Sequence, residues 1–173
     1  MNSIASLIRH DPITAERAVE DLSELFRAAL GSGNGESTLS EEIHLTERYL
    51  AIEALRLGPR LTVNWQISKD LPLGLSLPHL ILQPVVENAI VHGISKKPNG
   101  GALDIHIRRE GFLLRIEVGN PLPSTLSLSH GNHHAQSSIA QRLAHRFGPQ
   151  ARLVAGPQDG YYLATLVIPI DSE

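Results

Sequence analysis

The chain of 173 residues is long enough for one domain with an ordinary core and too short for two large ones. Apolar residues make up 42% of it and charged residues 19%, which is typical of a globular protein. Its 15 basic and 18 acidic side chains leave a net charge of −3, so the sequence predicts no nucleic-acid partner. The absence of cysteine excludes a disulfide scaffold, a thiol nucleophile and thiolate zinc sites.

The first part of the chain predicts helices. Residues 2–9 have a helical pattern, and Asp11-Pro12 is typical of the start of a second helix, which ends at Gly31. That second helix carries apolar residues at helical spacing that need a partner face, so we expect it to pair with a second copy: Ala15, Val19, Leu22, Phe26 and Ala29.

A third helix is predicted to begin at a capping box, Thr38-x-x-Glu41, and to end at Gly58-Pro59. The segments after it alternate between strand and helix patterns. We predict strands over 61–67, 103–108, 112–118, 151–155 and 161–168, and helices over 77–92 and 139–147. This order predicts an α/β sandwich, in which helices cover one face of a mixed sheet of about five strands.

The helix over 77–92 carries polar residues where a pure packing helix would not. Asn88 and His92 are four residues apart and share a face that the apolar stripe does not use. An amide or carboxylate oxygen is a ligand that Mg²⁺ accepts, usually together with the phosphates of a nucleotide. Surface polar groups on an amphipathic helix explain the same residue types, and the pattern alone leaves both interpretations open.

Three motifs resemble the LytS-type sensor histidine kinases, in the order that this family has them. Gln83-Pro84-Val85-Val86-Glu87-Asn88-Ala89-Ile90-x-His92-Gly93 resembles the family's N box. Residues 2–9 and 21–27 resemble its dimerisation helices, and residues 41–56 resemble its following helix. Within the family, the AlgZ (FimS) alginate and pilus regulators are the members that the chain resembles most.

The resemblance implies a partial dimerisation region over 1–57 and an ATP-binding catalytic domain of the Bergerat type over 58–173. Asn88 then takes the position of the Mg²⁺ ligand, Glu87 a catalytic position, and His92 a place in the ATP site. The resemblance further implies ATP and Mg²⁺ as cofactors, a homodimer through the N-terminal helices, and a cognate response regulator of the LytTR type. We expect a cytoplasmic domain of an inner-membrane protein, whose membrane segments are absent from this chain.

The chain also departs from the family's pattern. The family's phosphoaccepting histidine lies upstream of Asn2, so we expect no autophosphorylation by this chain alone. At the adenine site Asn120 replaces an aspartate and Leu122 a glycine. An amide oxygen still accepts the hydrogen bond of the adenine amino group, but more weakly than a carboxylate.

The segment that matches the family's nucleotide lid is depleted in glycine. One glycine of three remains, Gly131, and Ala135 stands where another is usual. Because glycine allows backbone amides to approach phosphates, we predict weak ATP binding. Val91 replaces a lysine of many relatives, and Lys96 and Lys97 are candidates to compensate for it, although a solvated turn also explains them.

Two functions therefore follow from the sequence. The first is the catalytic region of a sensor histidine kinase. The second is a degenerate kinase-like module that binds little or no ATP and acts by dimerisation or by docking its regulator. The residues on which this choice depends are Asn120, Leu122, His133 and Ala135.

Overall fold

The computed structural model describes residues 3–31, 35–122 and 132–170. Its first two helices, α1 (Ser3–His10) and α2 (Pro12–Gly31), are separated at Asp11 as predicted. The Asp11 carboxylate accepts hydrogen bonds from the backbone N–H of Thr14 at 3.1 Å and from its hydroxyl at 2.6 Å. The side chain of Asp11 thus satisfies an amide that the new helix leaves without an intrahelical partner.

The short strand β1 (Glu36–Thr38) leads directly into the third helix, α3 (Leu39–Leu57). The predicted capping box is confirmed: the Thr38 hydroxyl accepts a hydrogen bond from the Glu41 N–H, and the Glu41 carboxylate accepts one from the Thr38 N–H at 2.7 Å. The helix ends where Gly58 has a φ of 55°, and a 3₁₀ turn over Gly58–Arg60 follows. The predicted end at Gly58-Pro59 is therefore also confirmed.

Five strands form the main sheet, as predicted. In chain order they are β2 (Leu61–Ile67), β4 (Gly101–Glu110), β5 (Leu113–Pro121), β6 (Arg152–Gln158) and β7 (Tyr161–Pro169); a separate short strand, β3 (Ser76–Pro78), pairs with β1. The spatial order is β2-β4-β5-β7-β6. The β2–β4 pair is parallel and the other pairs are antiparallel, so the sheet is mixed.

The core lies between one face of this sheet and the helices. Alternate residues of the central strands are fully buried there, which is the pattern of a sheet covered on one face. The helix α3 adds four side chains to the same core, Leu39, Ile43, Leu50 and Leu57. The division of the chain at 57/58 stays a prediction.

The predicted helix over 77–92 is wrong in its first part. Residues 76–78 form β3, and the helix α4 (Gln83–Asn88) begins only after a turn in which Leu80 has a φ of 54°. From Ala89 to Gly93 the chain continues as a π-helical turn, and Ile94–Lys96 form a 3₁₀ turn. The apolar pattern misled the prediction because the amides of residues 80–82 bond to a distant side chain instead of to preceding carbonyls.

The last helix, α5 (Asn132–Phe147), begins earlier than the predicted start at residue 139. Its first turns are rich in His, Ser and Asn, which have low helix propensity and carry no apolar stripe, so the sequence pattern did not indicate them. The Gln136 side chain donates a hydrogen bond to the Tyr162 hydroxyl at 2.9 Å and ties this helix to β7. Within the described ranges, no helix combines the length and the apolar character needed to cross a bilayer.

Candidate functional site

The helix α4 and the π turn after it carry the predicted site residues. The buried side chains of these two elements, and that of Leu82 just before them, pack into the core: Leu82, Val85, Val86, Ala89 and Ile90. On the other faces Glu87 is exposed, while Asn88 and His92 are half-buried. A π turn inside a helix costs regular hydrogen bonding and is frequent at functional sites. The packing stripe predicted from the sequence is confirmed, and it leaves the polar residues on accessible faces.

A groove of about 440 Å³ separates α4 from α3. Glu87, Val91, Ser95 and Lys96 line one side, and the α3 residues Tyr49, Glu53 and Arg56 line the other. The Arg56 guanidinium donates to the Glu53 carboxylate and to the Ser95 hydroxyl, the latter at 3.2 Å. The groove therefore contains both carboxylates and cations, with Glu87 exposed at its edge.

The phenol of Tyr49 lies in this groove and has a raised pKa. Burial raises the pKa of the Tyr49 phenol well above its ordinary value, and the nearby carboxylates of Glu53 and Glu87 raise it further. Sequence reasoning did not select the α3 side of the groove, although Glu53 and Arg56 belong to the segment that resembled the family's third helix.

The end of the π turn meets the end of β5 at Asn120. Its side chain is 2% exposed, and a Cβ placed on Gly93 would lie 2.0 Å from Asn120 Nδ2. The Nδ2 atom donates to the Pro121 carbonyl at 3.1 Å, whereas the buried Oδ1 has no hydrogen-bond partner among the described residues. Two sequence motifs that are distant along the chain are thus in direct contact.

The two candidate lysines lie in different environments. Lys96 is exposed and lines the groove beside α3, whereas Lys97 Nζ donates to the Leu122 carbonyl at 3.2 Å, just after β5. Arg60 supports this turn by donating to the carbonyl oxygens of Ser95 and Lys97. The role of the two lysines in phosphate binding stays a prediction.

The two lid positions remain predictions. Gly131 lies outside the described residues, as do residues 123–130 before it. Ala135 belongs to α5, but only the position of its backbone in that helix is described.

The described residues fit a nucleotide with Mg²⁺. No three His, Cys, Asp or Glu side chains gather to hold a metal within the described ranges. Mg²⁺ keeps several waters and binds substrate phosphates together with few protein ligands. Asn88 can offer it an amide oxygen. The unpartnered Asn120 Oδ1 is a hydrogen-bond acceptor of the kind that an adenine amino group requires.

Comparison with known proteins identifies the class that the sequence motifs resemble, the histidine kinases. The family model "Histidine kinase" matches residues 1–61. The sensor histidine kinase BtsS of Escherichia coli is 35% identical over 170 residues, which cover 98% of this chain and 30% of BtsS. The sensor protein LytS of Staphylococcus epidermidis is 27% identical over 96% of this chain and 30% of LytS. The chain thus spans about 30% of the length of these relatives.

Solved structures agree on the fold. The catalytic domain of histidine kinase ThkA superposes with a TM-score of 0.57 at 14% identity, covering 80% of this chain and 97% of that domain. The histidine kinase domain of the blue-light activated kinase EL346 of Erythrobacter litoralis gives a TM-score of 0.56 at 17% identity, covering 96% and 80%. The fold is therefore that of a histidine kinase catalytic domain. More narrowly, the chain belongs to the LytS-type sensor histidine kinases.

Proposed function

We propose that the chain is the ATP-binding catalytic region of a sensor histidine kinase. In the whole protein, the γ-phosphoryl group of ATP passes to a histidine nitrogen, ADP leaves, and the phosphoryl group then passes to an aspartate of a response regulator. We further propose a LytTR-type regulator, by resemblance, and a cytoplasmic position in a membrane-attached protein. ThkA, a structural neighbour, has been solved in complex with the response regulator protein TrrA.

The contact between Gly93 and Asn120 carries this proposal. It joins the end of the segment that bears Glu87 and Asn88 to an amide whose Oδ1 is buried and unpartnered. Asn120 would hold the adenine of a nucleotide here, and Asn88 would act on its phosphates through Mg²⁺. An unpaired buried acceptor costs free energy, and an adenine amino group relieves that cost.

Phosphoryl transfer requires mainly that the reacting groups are positioned and that the charge of the phosphates is neutralised, because it proceeds through a loose transition state. Mg²⁺ supplies charge neutralisation on the phosphates when it is bound. Asn88 would hold that ion through its amide oxygen. Glu87 is exposed beside the groove and is available to orient an incoming imidazole.

We expect weak nucleotide binding by this chain alone. A micromolar affinity corresponds to about −8 kcal/mol. Losing two charge-assisted backbone hydrogen bonds of a glycine-rich lid removes about 3–6 kcal/mol, which leaves a roughly millimolar dissociation constant or weaker.

Titration calorimetry with Mg·ATP tests the proposal on this chain and on the full-length protein with its regulator. Weak binding by the chain that Asn88→Ala weakens further supports it, and Ser40→Ala on the exposed start of α3 is the control. Affinity of about ten micromolar or better, lost in Asn88→Ala, shows that the interpretation of the lid is wrong and that the protein is an ordinary kinase.

The second candidate is the degenerate module, favoured by the replacement of the adenine-site aspartate by Asn120. It predicts no nucleotide binding even by the full-length protein in the presence of its regulator. That result excludes the kinase proposal and leaves dimerisation or regulator docking as the function.

A further inference from the structure

The turn over residues 79–82 connects β3 to α4, and we call it the 79–82 turn. Leu80 has a φ of 54° there, a conformation that costs free energy for a residue with a side chain. Such a conformation persists only where the surroundings hold it. Three helices do so in this structure.

The first helix is α3, through Glu42, whose side chain is 1% exposed. Its Oε1 accepts hydrogen bonds from the Leu80 N–H at 2.7 Å and the Ser37 hydroxyl at 2.6 Å. Its Oε2 accepts from the N–H groups of Ile81 at 2.8 Å and Leu82 at 3.0 Å. Four donors thus satisfy one buried carboxylate, as a buried charged group requires.

This carboxylate also acts on the entry to α4. The residue before the helix, Leu82, provides no side-chain cap, and Pro84 in the first turn has no N–H. Glu42 therefore supplies, from another helix, an acceptor for the N–H of the N-cap residue Leu82, as the carboxylate at the third helical position does in a capping box.

The second and third helices hold the same turn from other directions. Arg142 of α5 donates to the carbonyl oxygens of His79 and of Leu80, the latter at 3.0 Å. His79 Nε2 donates to the Ala28 carbonyl of α2 at 2.8 Å, because a carbonyl oxygen can only accept. The amides of residues 80–82 thus bond to α3, and the carbonyls of His79 and Leu80 bond to α5. The His79 imidazole bonds to α2 through Nε2, and its Nδ1 lies 3.8 Å from Glu42 Oε1 of α3.

We propose that Glu42 and Arg142 are positioning residues, which place Glu87 and Asn88 by holding the 79–82 turn, and that His79 connects this turn to the dimerisation helix α2. Asn88 follows the turn on one short rigid helix, so a displacement of Leu82 moves Asn88. Arg142 lies on α5, so the turn links α2, α5 and the N-box residues. This inference rests on the proposed function.

Glu42→Gln tests the proposal with little change of shape. The new NH₂ group faces backbone N–H donors, so at least one of the four hydrogen bonds is lost. Glu47→Gln is the matched control, since Glu47 is an exposed carboxylate on the same helix.

Two measurements separate positioning from general stabilisation. Amide hydrogen exchange of the full-length protein is expected to rise about tenfold or more over residues 80–93 in Glu42→Gln, while the amides of β4, β5 and β7 change less than about twofold. The rate of phosphoryl transfer at saturating Mg·ATP is expected to fall about tenfold, with little change for Glu47→Gln.

Arg142→Lys provides the second variant. It keeps the positive charge but lacks the planar guanidinium group, which donates to the carbonyl oxygens of both His79 and Leu80. Its effect on the transfer rate is expected to be non-additive with that of Glu42→Gln, because both residues act on one turn. It also tests the proposal if Glu42→Gln does not fold.

An equal rise of exchange throughout the sheet, or unchanged exchange over residues 80–93 in both variants, overturns the proposal. If the unmutated protein transfers no phosphate, the proposed function fails, and the exchange measurement still decides whether these residues position α4.

Discussion

At the scale of single residues, Gly93 decides whether two distant motifs can touch. It leaves room for the Asn120 amide, and a methyl group in that place would lie 2.0 Å from Nδ2 and 2.7 Å from Cγ. Neither distance is compatible with van der Waals packing. The glycine that ends the N-box motif is thus required by a close approach and not by an unusual φ.

We predict that Gly93→Ala destabilises the fold by about 1–3 kcal/mol, the usual range for overpacking a close contact. Urea denaturation of the purified chain measures this change. Gly74→Ala is the control, because nothing lies within 4 Å of a Cβ placed there. We expect Gly74→Ala to change stability by less than about 0.5 kcal/mol.

The double variant Gly93→Ala/Asn120→Ala tests whether the clash with the Asn120 side chain causes the loss of stability. Removing the Asn120 side chain removes the clash, so the two substitutions together are expected to cost less than the sum of their separate effects. Simple additivity, or a Gly93→Ala protein as stable as the parent, contradicts the proposed contact.

At the scale of elements, the start of α3 depends on its capping box. Thr38 and Glu41 satisfy each other's backbone N–H groups, and α3 carries both the buried Glu42 and one side of the candidate groove. Hydrogen bonds from the Thr38 amide and then from its hydroxyl hold the pKa of the Glu41 carboxyl below its ordinary value of 4.5.

We predict that Thr38→Ala destabilises the chain by about 1 kcal/mol near neutral pH. Because the pKa of Glu41 is lowered in the folded state, its contribution is present above pH 4.5 and is lost as the pH falls through the lower folded value. The difference between Thr38→Ala and the parent should therefore shrink on acidification. Denaturation curves over this pH range measure it, and Ser40→Ala on the same exposed turn should show no such trend.

At the scale of the whole molecule, α2 has one side already occupied. Ala15 and Ala18 are buried, and Arg48 of α3 pairs with Asp21 at 2.6 Å and with Glu24 at 2.8 Å. Val19, Leu22 and Phe26 belong to the same stripe as Ala15 but stay exposed. A second copy can cover the large apolar side chains that α2 exposes: Ile13, Val19, Leu22, Phe26 and Leu30. Dimerisation through this face stays a prediction.

We predict that Phe26→Glu weakens self-association at least tenfold, since burying a phenylalanine contributes about 1.5–3 kcal/mol. Sedimentation equilibrium across a concentration series measures it. Phe112→Glu is the control, because Phe112 is 64% exposed and Phe26 is 59% exposed, but Phe112 lies in the turn between β4 and β5. A parent chain that stays monomeric at high concentration, or equal weakening by both variants, contradicts the prediction.

Features that depend on neighbours in sequence were predicted correctly. The strand alternation of β2 and β4, the capping box at Thr38 and the end of α3 at Gly58 are all confirmed. The resemblance to the LytS-type sensor histidine kinases is confirmed as well, whereas the closer likeness to the AlgZ (FimS) regulators stays a prediction. Each of these signals lies within a few consecutive residues, where side-chain period and capping chemistry act directly on the backbone.

Features that depend on distant partners required the folded chain. No local pattern indicates that Glu42 bonds the amides of residues 80–82, or that Gly93 packs against Asn120. For the same reason the predicted start of the helix at residue 77 is wrong. The apolar residues of this segment suit a helix, but the amides of residues 80–82 donate to the Glu42 carboxylate of α3. The periodicity of apolar residues in the sequence indicates which side chains are buried. The hydrogen-bond partners of a buried turn depend instead on which elements pack against it in the folded chain.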